Sequence, residues 1–298
     1  MEIKDLKQKL INADRLVSVI DKSGRFRASI VRNNLTAFTA QEKHKLNRLP
    51  ADYLAKHLTS ASLISSFLKG EERIILDTSS QGSIEKVYAE AMPIGEVRGF
   101  IHTSNPFKTS DKPILLDGLF KLTKILYNKD QQITGIIEIK SDIVEEIIEN
   151  YFLNSEQIPT FIKLEVDFDS ENKIKSSSGI IVQSLPGASK QEINEVREKL
   201  KNSPSINELI SGESDLSHVL KHFIPFDFNV SKTSRVDFFC RCSKGNFISK
   251  LYTLHVEEIE SMHKDYHNEL VCQYCNAHYY LTEIDFIKII NDLKAKSN

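Results

Sequence analysis

Short stretches of alternating apolar and polar residues fill much of the first 185 positions and predict an α+β body on mostly antiparallel sheets. After the turn signal Lys22-Ser23-Gly24, Phe26, Ala28 and Ile30 alternate with Arg25, Arg27 and Ser29, the pattern of a hairpin strand with one inward face. Further strands are expected at 73–78, 85–91 and 96–101, divided by Gly82-Ser83 and Pro93-Ile94-Gly95. Another pair is expected at 120–127 and 133–140, joined through Asn128-Lys129-Asp130. After Pro159, Ile162, Leu164, Val166 and Phe168 alternate with Lys163, Glu165 and Asp167, which predicts a sheet with one buried and one wet face. A helix opens after Pro50 and repeats Leu54, Leu58, Ala61, Ile64 and Leu68 at three- and four-residue steps before Gly70. A second helix carries Val144, Ile147, Ile148, Tyr151 and Phe152 behind a capping box formed by Asp142 and Glu145. Strands in series, not one per helix, are not the pattern of a parallel βαβ sheet.

The pattern changes at Pro186-Gly187. A capping box, Ser189-Lys190-Gln191-Glu192, starts a helix over 189–202 whose apolar side chains are only Ile193, Val196 and Leu200. After Pro204 a more apolar piece holds Leu209, Ile210, Leu216, Val219, Leu220, Phe223, Ile224, Phe226 and Phe228. Two readings are open for 186–233: a helical linker that docks weakly on a neighbouring surface, or an ordinary part of one larger domain. Its place between a cysteine-free body and the cysteines favours the linker. At the far end, Thr282-Glu283-Ile284-Asp285 starts a helix with Phe286, Ile287, Ile289, Ile290 and Leu293, enough apolar surface to pack on its own module or on a second chain.

Composition narrows the function. The 298 residues carry 39 Lys plus Arg against 41 Asp plus Glu, a net charge of -2, which excludes an obligate polyanion binder. No apolar run approaches the roughly 20 residues of a membrane span, and residues 1–9 mix charges instead of leading into an apolar signal core. A soluble, cytoplasmic protein with no membrane partner is expected.

All four cysteines fall between positions 240 and 275, as Cys240-Arg241-Cys242 and Cys272-Gln273-Tyr274-Cys275. In an extended segment, residues two apart project to one side, and a CxxC turn converges two sulfurs by another route. Two such pairs supply the four thiolates of a tetrahedral structural zinc site, with Zn–S bonds of about 2.3 Å. One Zn²⁺ per chain on Cys240, Cys242, Cys272 and Cys275 is therefore expected in the reduced state. His263 and His267 lack the glutamate of an HExxH zinc motif and are read as surface residues, while His278 is either an outer hydrogen-bond donor or a solvent-exposed ring. Thiolate ligands are also what an oxidant attacks, and each has a near neighbour as a resolving thiol. Because a small zinc module owes folding free energy on the order of 10 kcal/mol to its metal, oxidation of either pair should unfold it.

Several blocks of the chain resemble the thirty-three-kilodalton heat-shock protein family, the redox-regulated molecular chaperones. They are Leu68-Lys69-Gly70-Glu71-Glu72-Arg73, Gly95-Glu96-Val97-Arg98-Gly99, Asn154-Ser155-Glu156-Gln157-Ile158-Pro159-Thr160, and the CxC…CxxC block ending Cys275-Asn276-Ala277-His278-Tyr279-Tyr280. The resemblance spans nearly the full length and implies a holdase, not an enzyme, that keeps unfolding client proteins from aggregating. It implies an inactive reduced form with zinc on the four thiolates, and an active form with Cys240–Cys242 and Cys272–Cys275 disulfides, zinc released, and linker and module unfolded. It also implies a homodimer in the active state and no need for ATP. The division expected is a chaperone core at 1–185, a metastable helical linker at 186–233 and a redox-sensing zinc module at 234–298. Ser243-Lys244-Gly245-Asn246-Phe247 departs from the Ser-x-Glu-Arg run common in that family.

Three rivals stand beside this reading. A zinc-ribbon nucleic-acid module wants a basic face, yet residues 234–298 hold eight basic and nine acidic side chains, a net of −1. Phe239, Tyr274, Tyr279 and Tyr280 are read as packing around the metal, not as base-stacking platforms. A thiol-disulfide oxidoreductase would carry its CxxC near a βαβ pattern, which is missing, and would have no use for a second pair. A static structural zinc protein would keep its fold in peroxide.

Overall fold

The computed structural model describes residues 13–104, 114–126 and 132–296; the expected Asn128-Lys129-Asp130 turn and the charged residues 1–9 lie outside them. The chain forms two compact units, 1–239 and 240–298. In the first, β1 (Arg15–Asp21) and β2 (Phe26–Arg32) make the expected hairpin. Helices α1 (Asn34–His44) and α2 (Arg48–Ser65) follow, then β3 (Arg73–Ser79), β4 (Ile84–Ala91), β5 (Glu96–Thr103), β6 (Leu119–Ile125) and β7 (Gln132–Glu138). After α3 (Val144–Tyr151) and a π-helical turn at Phe152–Glu156 come β8 (Thr160–Phe168) and β9 (Ile174–Ser184). The segment from 190 contributes α4 (Lys190–Lys201), α5 (Ile206–Ile210), α6 (Leu216–Leu220), β10 (Phe228–Arg235) and β11 (Asp237–Phe238). Two sheets result: five strands ordered β10-β1-β2-β9-β8 and six ordered β11-β5-β4-β3-β6-β7. Every pairing is antiparallel except the short β11–β5 contact.

Helix α2 packs on both sheets and is therefore buried on nearly every side, not along one stripe. Its polar residues Ser60 and Ser62 are hidden because each hydroxyl donates to the carbonyl four residues back, at 2.7 and 2.9 Å. The close approach depends on two glycines. A Cβ on Gly99 would lie 2.3 Å from the Tyr88 carbonyl and 3.0 Å from Leu58 Cδ2; on Gly179 it would lie 2.8 to 3.1 Å from Leu164, Thr59 and Leu63. The expected Asp142–Glu145 capping box does not form. Asp142 accepts instead from the Leu115 amide (2.9 Å), and the first residue outside α3 is Ile143, without a side-chain cap.

The second correction concerns the five-stranded sheet, whose expected wet face is covered. Val17, Val19, Phe26, Ala28, Ile30, Phe161, Ile180 and Val182 form one apolar cluster with Val196, Leu200, Ile206, Ile210, Leu216, Val219, Leu220, Phe223 and Ile224 of the 190–226 segment. The charged side chains of β8 provide the polar margin of that contact. Lys163 donates to the Ser203 and Pro204 carbonyls (both 2.9 Å), and Glu165 accepts from Ser205 Oγ (2.7 Å) and the Asn207 amide (3.1 Å). Buried Asn207 donates to Asp167 (2.8 Å) and accepts from Ser178 Oγ (2.6 Å). The Ser189–Glu192 capping box is present at α4. The end of the supposedly helical 186–233 stretch is a strand, because Phe228–Arg235 pairs with β1 along its whole length.

The second unit contains α7 (Lys244–Leu251), α8 (Val256–Lys264), the hairpin β12 (Glu269–Val271) and β13 (His278–Tyr280), and α9 (Glu283–Lys296). Its core is small: Leu251, Ile259, Leu281, Phe286, Ile289 and Leu293. Helix α9 packs within its own unit, against α8, through Phe286, Ile289 and Leu293.

Candidate metal centre

Two local structures carry the four cysteines. Cys272-Gln273-Tyr274-Cys275 is the turn between β12 and β13, closed by the Asn276 amide donating to the Cys272 carbonyl (2.7 Å) and the Cys272 amide donating to Ala277 (2.9 Å). Asn276 takes the left-handed conformation, φ 54°, that lets this turn close. Cys240 and Cys242 precede α7, whose first turn is capped by Ser243 Oγ accepting from the Asn246 amide (3.1 Å). The departure from the family pattern at 243–247 is therefore a helix start, and it brings an ion pair: Lys244 Nζ lies 2.6 Å from Asp285 in the first turn of α9. With Thr282 also donating to it, the Asp285 carboxyl is held down at about 2. The Thr282–Asp285 box was legible in the sequence; its cationic partner was not, because 41 residues separate them.

All four cysteine sulfurs lie within 4.8 Å of one another. Cys240 Sγ is 3.7 Å from Cys272 Sγ, and Cys242 Sγ is 3.3 Å from Cys275 Sγ. These are free thiols, and a tetrahedral site with Zn–S bonds of about 2.3 Å needs sulfurs about 3.8 Å apart. Amide N–H groups already point at two of the sulfurs, from Cys242 to Cys240 and from Ala277 to Cys275. Tyr279, its ring 5.5 Å from that of Phe247, donates its hydroxyl to the Cys242 carbonyl (3.1 Å), and the same oxygen lies within hydrogen-bond distance of Cys242 Sγ (3.2 Å).

The electrostatics of the bare donor set also fit a cation. Burial pushes the Cys240 thiol up, helped by Cys272, and burial with Cys242 pushes Cys275 up further. Burial opposes the Cys242 thiolate as well, but hydrogen bonds from Tyr279, Cys275, Cys240 and Cys272 outweigh it and hold this thiol below its ordinary range. The bond to Cys242 raises the Tyr279 hydroxyl to about 12, so it stays a donor. Without a cation the cluster thus favours a thiolate at one sulfur over its neighbours; a soft divalent cation lets all four ionise together. The four thiolates could hold such an ion.

The histidines lie apart from this cluster. His263 stacks on Phe286 (4.9 Å between centroids) and its Nε2 is 2.7 Å from Glu283. His267 falls beyond the end of α8, and exposed His278 pairs with Glu269 (2.7 Å). Among the described residues no helix is long and apolar enough to cross a membrane.

A family model described as Hsp33 protein matches residues 14–282. The 33 kDa chaperonin of Streptococcus agalactiae is 30% identical over 288 residues, covering 94% of this chain and 99% of its own length. That of Streptococcus uberis is 31% identical over 288 residues, with the same coverage of both chains. The crystal structure of the Thermotoga maritima 33 kDa chaperonin superimposes with a TM-score of 0.83 at 24% identity, covering 96% of this chain and 99% of that one.

Proposed function

The chain belongs to the Hsp33 family, a family of chaperones, and from that membership we propose that it is a redox-controlled holdase that binds unfolding proteins in the cytoplasm and keeps them from aggregating. The observation that supports this most is the convergence of two chelating cysteine pairs in a unit with only six buried apolar side chains at its centre. Units of that size seldom hold together on a hydrophobic core alone. In the reduced protein Cys240, Cys242, Cys272 and Cys275 would hold one Zn²⁺. Bound there, the ion would supply the charge that lets four thiolates coexist and much of the unit's folding free energy, on the order of 10 kcal/mol.

A thiolate sulfur attacks a peroxide oxygen: an S–O bond forms, the O–O bond breaks, and the departing hydroxide takes a proton to become water. The neighbouring thiol then attacks that sulfur, forming S–S and releasing a second water. Pairing within Cys240–Cys242 and within Cys272–Cys275 is what the resemblance to the family implies, each thiol having its resolving partner two or three residues away in the chain. Losing these ligands unfolds residues 240–298, and the 190–226 helices, short and held by tertiary docking, follow. Their release uncovers apolar surface on both sides of the contact, for clients and for a second copy in an active homodimer.

The test is a titration of the zinc-loaded reduced protein with peroxide at mild heat, following zinc release, helix content and aggregation of a thermally unfolding model protein. Release of one zinc per chain together with gain of aggregation suppression is expected. Zinc release with no gain of suppression would overturn the holdase reading, and catalytic reduction of insulin disulfides would favour an oxidoreductase.

A further inference from the structure

We propose that the edge of strand β1, now covered by β10, is a strand-addition site for extended, apolar segments of unfolding proteins; this rests on the holdase reading and names the surface it would use. In the folded chain β10 lies antiparallel on β1 from Arg15↔Arg235 to Asp21↔Phe228. The Val236 amide donates to the Asp14 carbonyl and the Lys22 amide to the Asp227 carbonyl, so by the alternation of an antiparallel ladder the even-numbered residues Leu16, Ser18 and Ile20 aim their backbone groups at β10. The seat is thus already shaped for an extended peptide of about eight residues.

The present occupant fits it poorly by side chain. Opposite Leu16, Ser18 and Ile20 stand Ser234, Lys232 and Asn229, and opposite Val17 stands Thr233; of the apolar residues of β1 Val19 alone meets an apolar partner, Val230. Ile20 remains 45% exposed and Val230 52% exposed. Strand β10 carries the features that blunt a sheet edge against association: a lysine, polar residues and a bulge, where Ser231 Oγ bonds to the Ser18 carbonyl (2.9 Å). Strand β1, Arg-Leu-Val-Ser-Val-Ile-Asp, has no lysine between its ends and only one polar residue there, the small Ser18. Removing β10 therefore replaces a protected edge with an unprotected one.

The location supplies the trigger and the preferred partner. Strand β10 lies in the chain between the docked helices and Cys240, so loss of both leaves it held by its ladder to β1, by Lys232 donating to the Pro93 carbonyl and by the anchor of Val236 and β11 beyond its C-terminal end. Val17 and Val19 belong to the apolar face that the same helices cover. A client strand paired with β1 would extend that face with its own alternate side chains, which an apolar segment does along its whole length and β10 only at its first residues, through Phe228 packed on the same cluster and Val230 opposite Val19. Main-chain bonds read no sequence, as a binder of varied clients requires.

A dye-labelled peptide of eight alternating valine and threonine residues tests this against its analogue N-methylated at every internal amide. The analogue is the more apolar of the two but cannot donate to a sheet edge. With the full-length protein oxidised by peroxide at mild heat, the parent peptide is expected to bind at least tenfold more tightly. Hydrogen exchange is expected to show β10 deprotected and the amides of Leu16, Ser18 and Ile20 protected again by the parent peptide. Equal binding of both peptides, binding by neither, continued protection of β10, or no protection of β1 would each overturn strand addition. Suppression of aggregation, measured in parallel, separates the two claims. Suppression with the peptides bound alike overturns only the β1 site, and absence of suppression with β1 protected overturns only the holdase reading.

Discussion

The two units of this chain solve the folding problem in opposite ways. Residues 13–239 place α2 between two sheets and add a second apolar layer under 190–226, so their structure rests on packing. Residues 240–298 surround a small apolar cluster with short elements and draw four sulfurs to one point. A packed core answers to temperature and to substitutions that leave voids; a metal-centred fold answers to whatever competes for its ligands. Under the proposed function, an oxidant would dismantle residues 240–298 and the docked 190–226 helices and leave α2 and the sheets around it standing.

The largest expected effect breaks this comparison outright if it fails. Removing the metal with a chelator, or substituting Cys272→Ser, should cost the 240–298 unit on the order of 10 kcal/mol and unfold it while α2 and the sheets around it keep their structure. Backbone amide spectra resolve the two sets; a C-terminal unit that stays folded without metal would show that its own core suffices. Next comes Phe223→Ala in the docked segment. Phe223 is fully buried against the five-stranded sheet, so truncation should cost about 3–5 kcal/mol and lower the temperature at which 190–226 becomes open to protease, with zinc stoichiometry unchanged. Unaltered protease resistance would mean that docking does not depend on that cluster.

The smallest effect concerns pH and belongs to the body. His57 is buried between the Tyr53 carbonyl (2.7 Å) and Thr78 Oγ1 (2.8 Å), and burial lowers it to about 4 from an ordinary 6.5. The unfolded chain takes that proton first, so body stability falls as pH drops from about 6.5 towards 4, by roughly 3 kcal/mol. Asp14 opposes this. Burial raises it to about 6 despite the Leu35 and Thr36 amides it caps, so its contribution is full below about 3.8 and fades as pH rises to about 6. Between about 4 and 6 the two slopes offset one another. Asp14→Asn should leave the His57 slope alone and steepen the loss on acidification, read as denaturant midpoints across that range; an unchanged slope would remove Asp14 from the balance.

How much of this was legible depends on how far apart the deciding residues lie. The β1–β2 hairpin, most strands of the six-stranded sheet, the start of α4 and the start of α9 follow from local alternation and caps within a few residues. Helix α1 and strand β9 were not read. The first is capped from outside by Asp14, and the second, buried on both faces, shows no alternation. Strand β10 was taken into a helical stretch because its polar run has no inward face of its own; β1 supplies its partner groups. At the candidate site the four cysteines stood out by spacing alone, whereas Tyr279 as a donor to Cys242 and Lys244 as the partner of Asp285 depend on contacts across 37 and 41 residues.

The sequence by itself determined the α+β class, the two cysteine pairs and the capped start of α4 at Ser189, because periodicity, cysteine spacing and cap chemistry act over a few residues. Only the tertiary structure decided that Lys163, Glu165 and Asp167 form the margin of a docking contact, and that β10 shields β1. It also brought two pairs 29 residues apart to within 4.8 Å at the sulfurs. Those outcomes are set by which surfaces remain to be covered once the local elements exist, and a chain reveals that only when its distant parts have met.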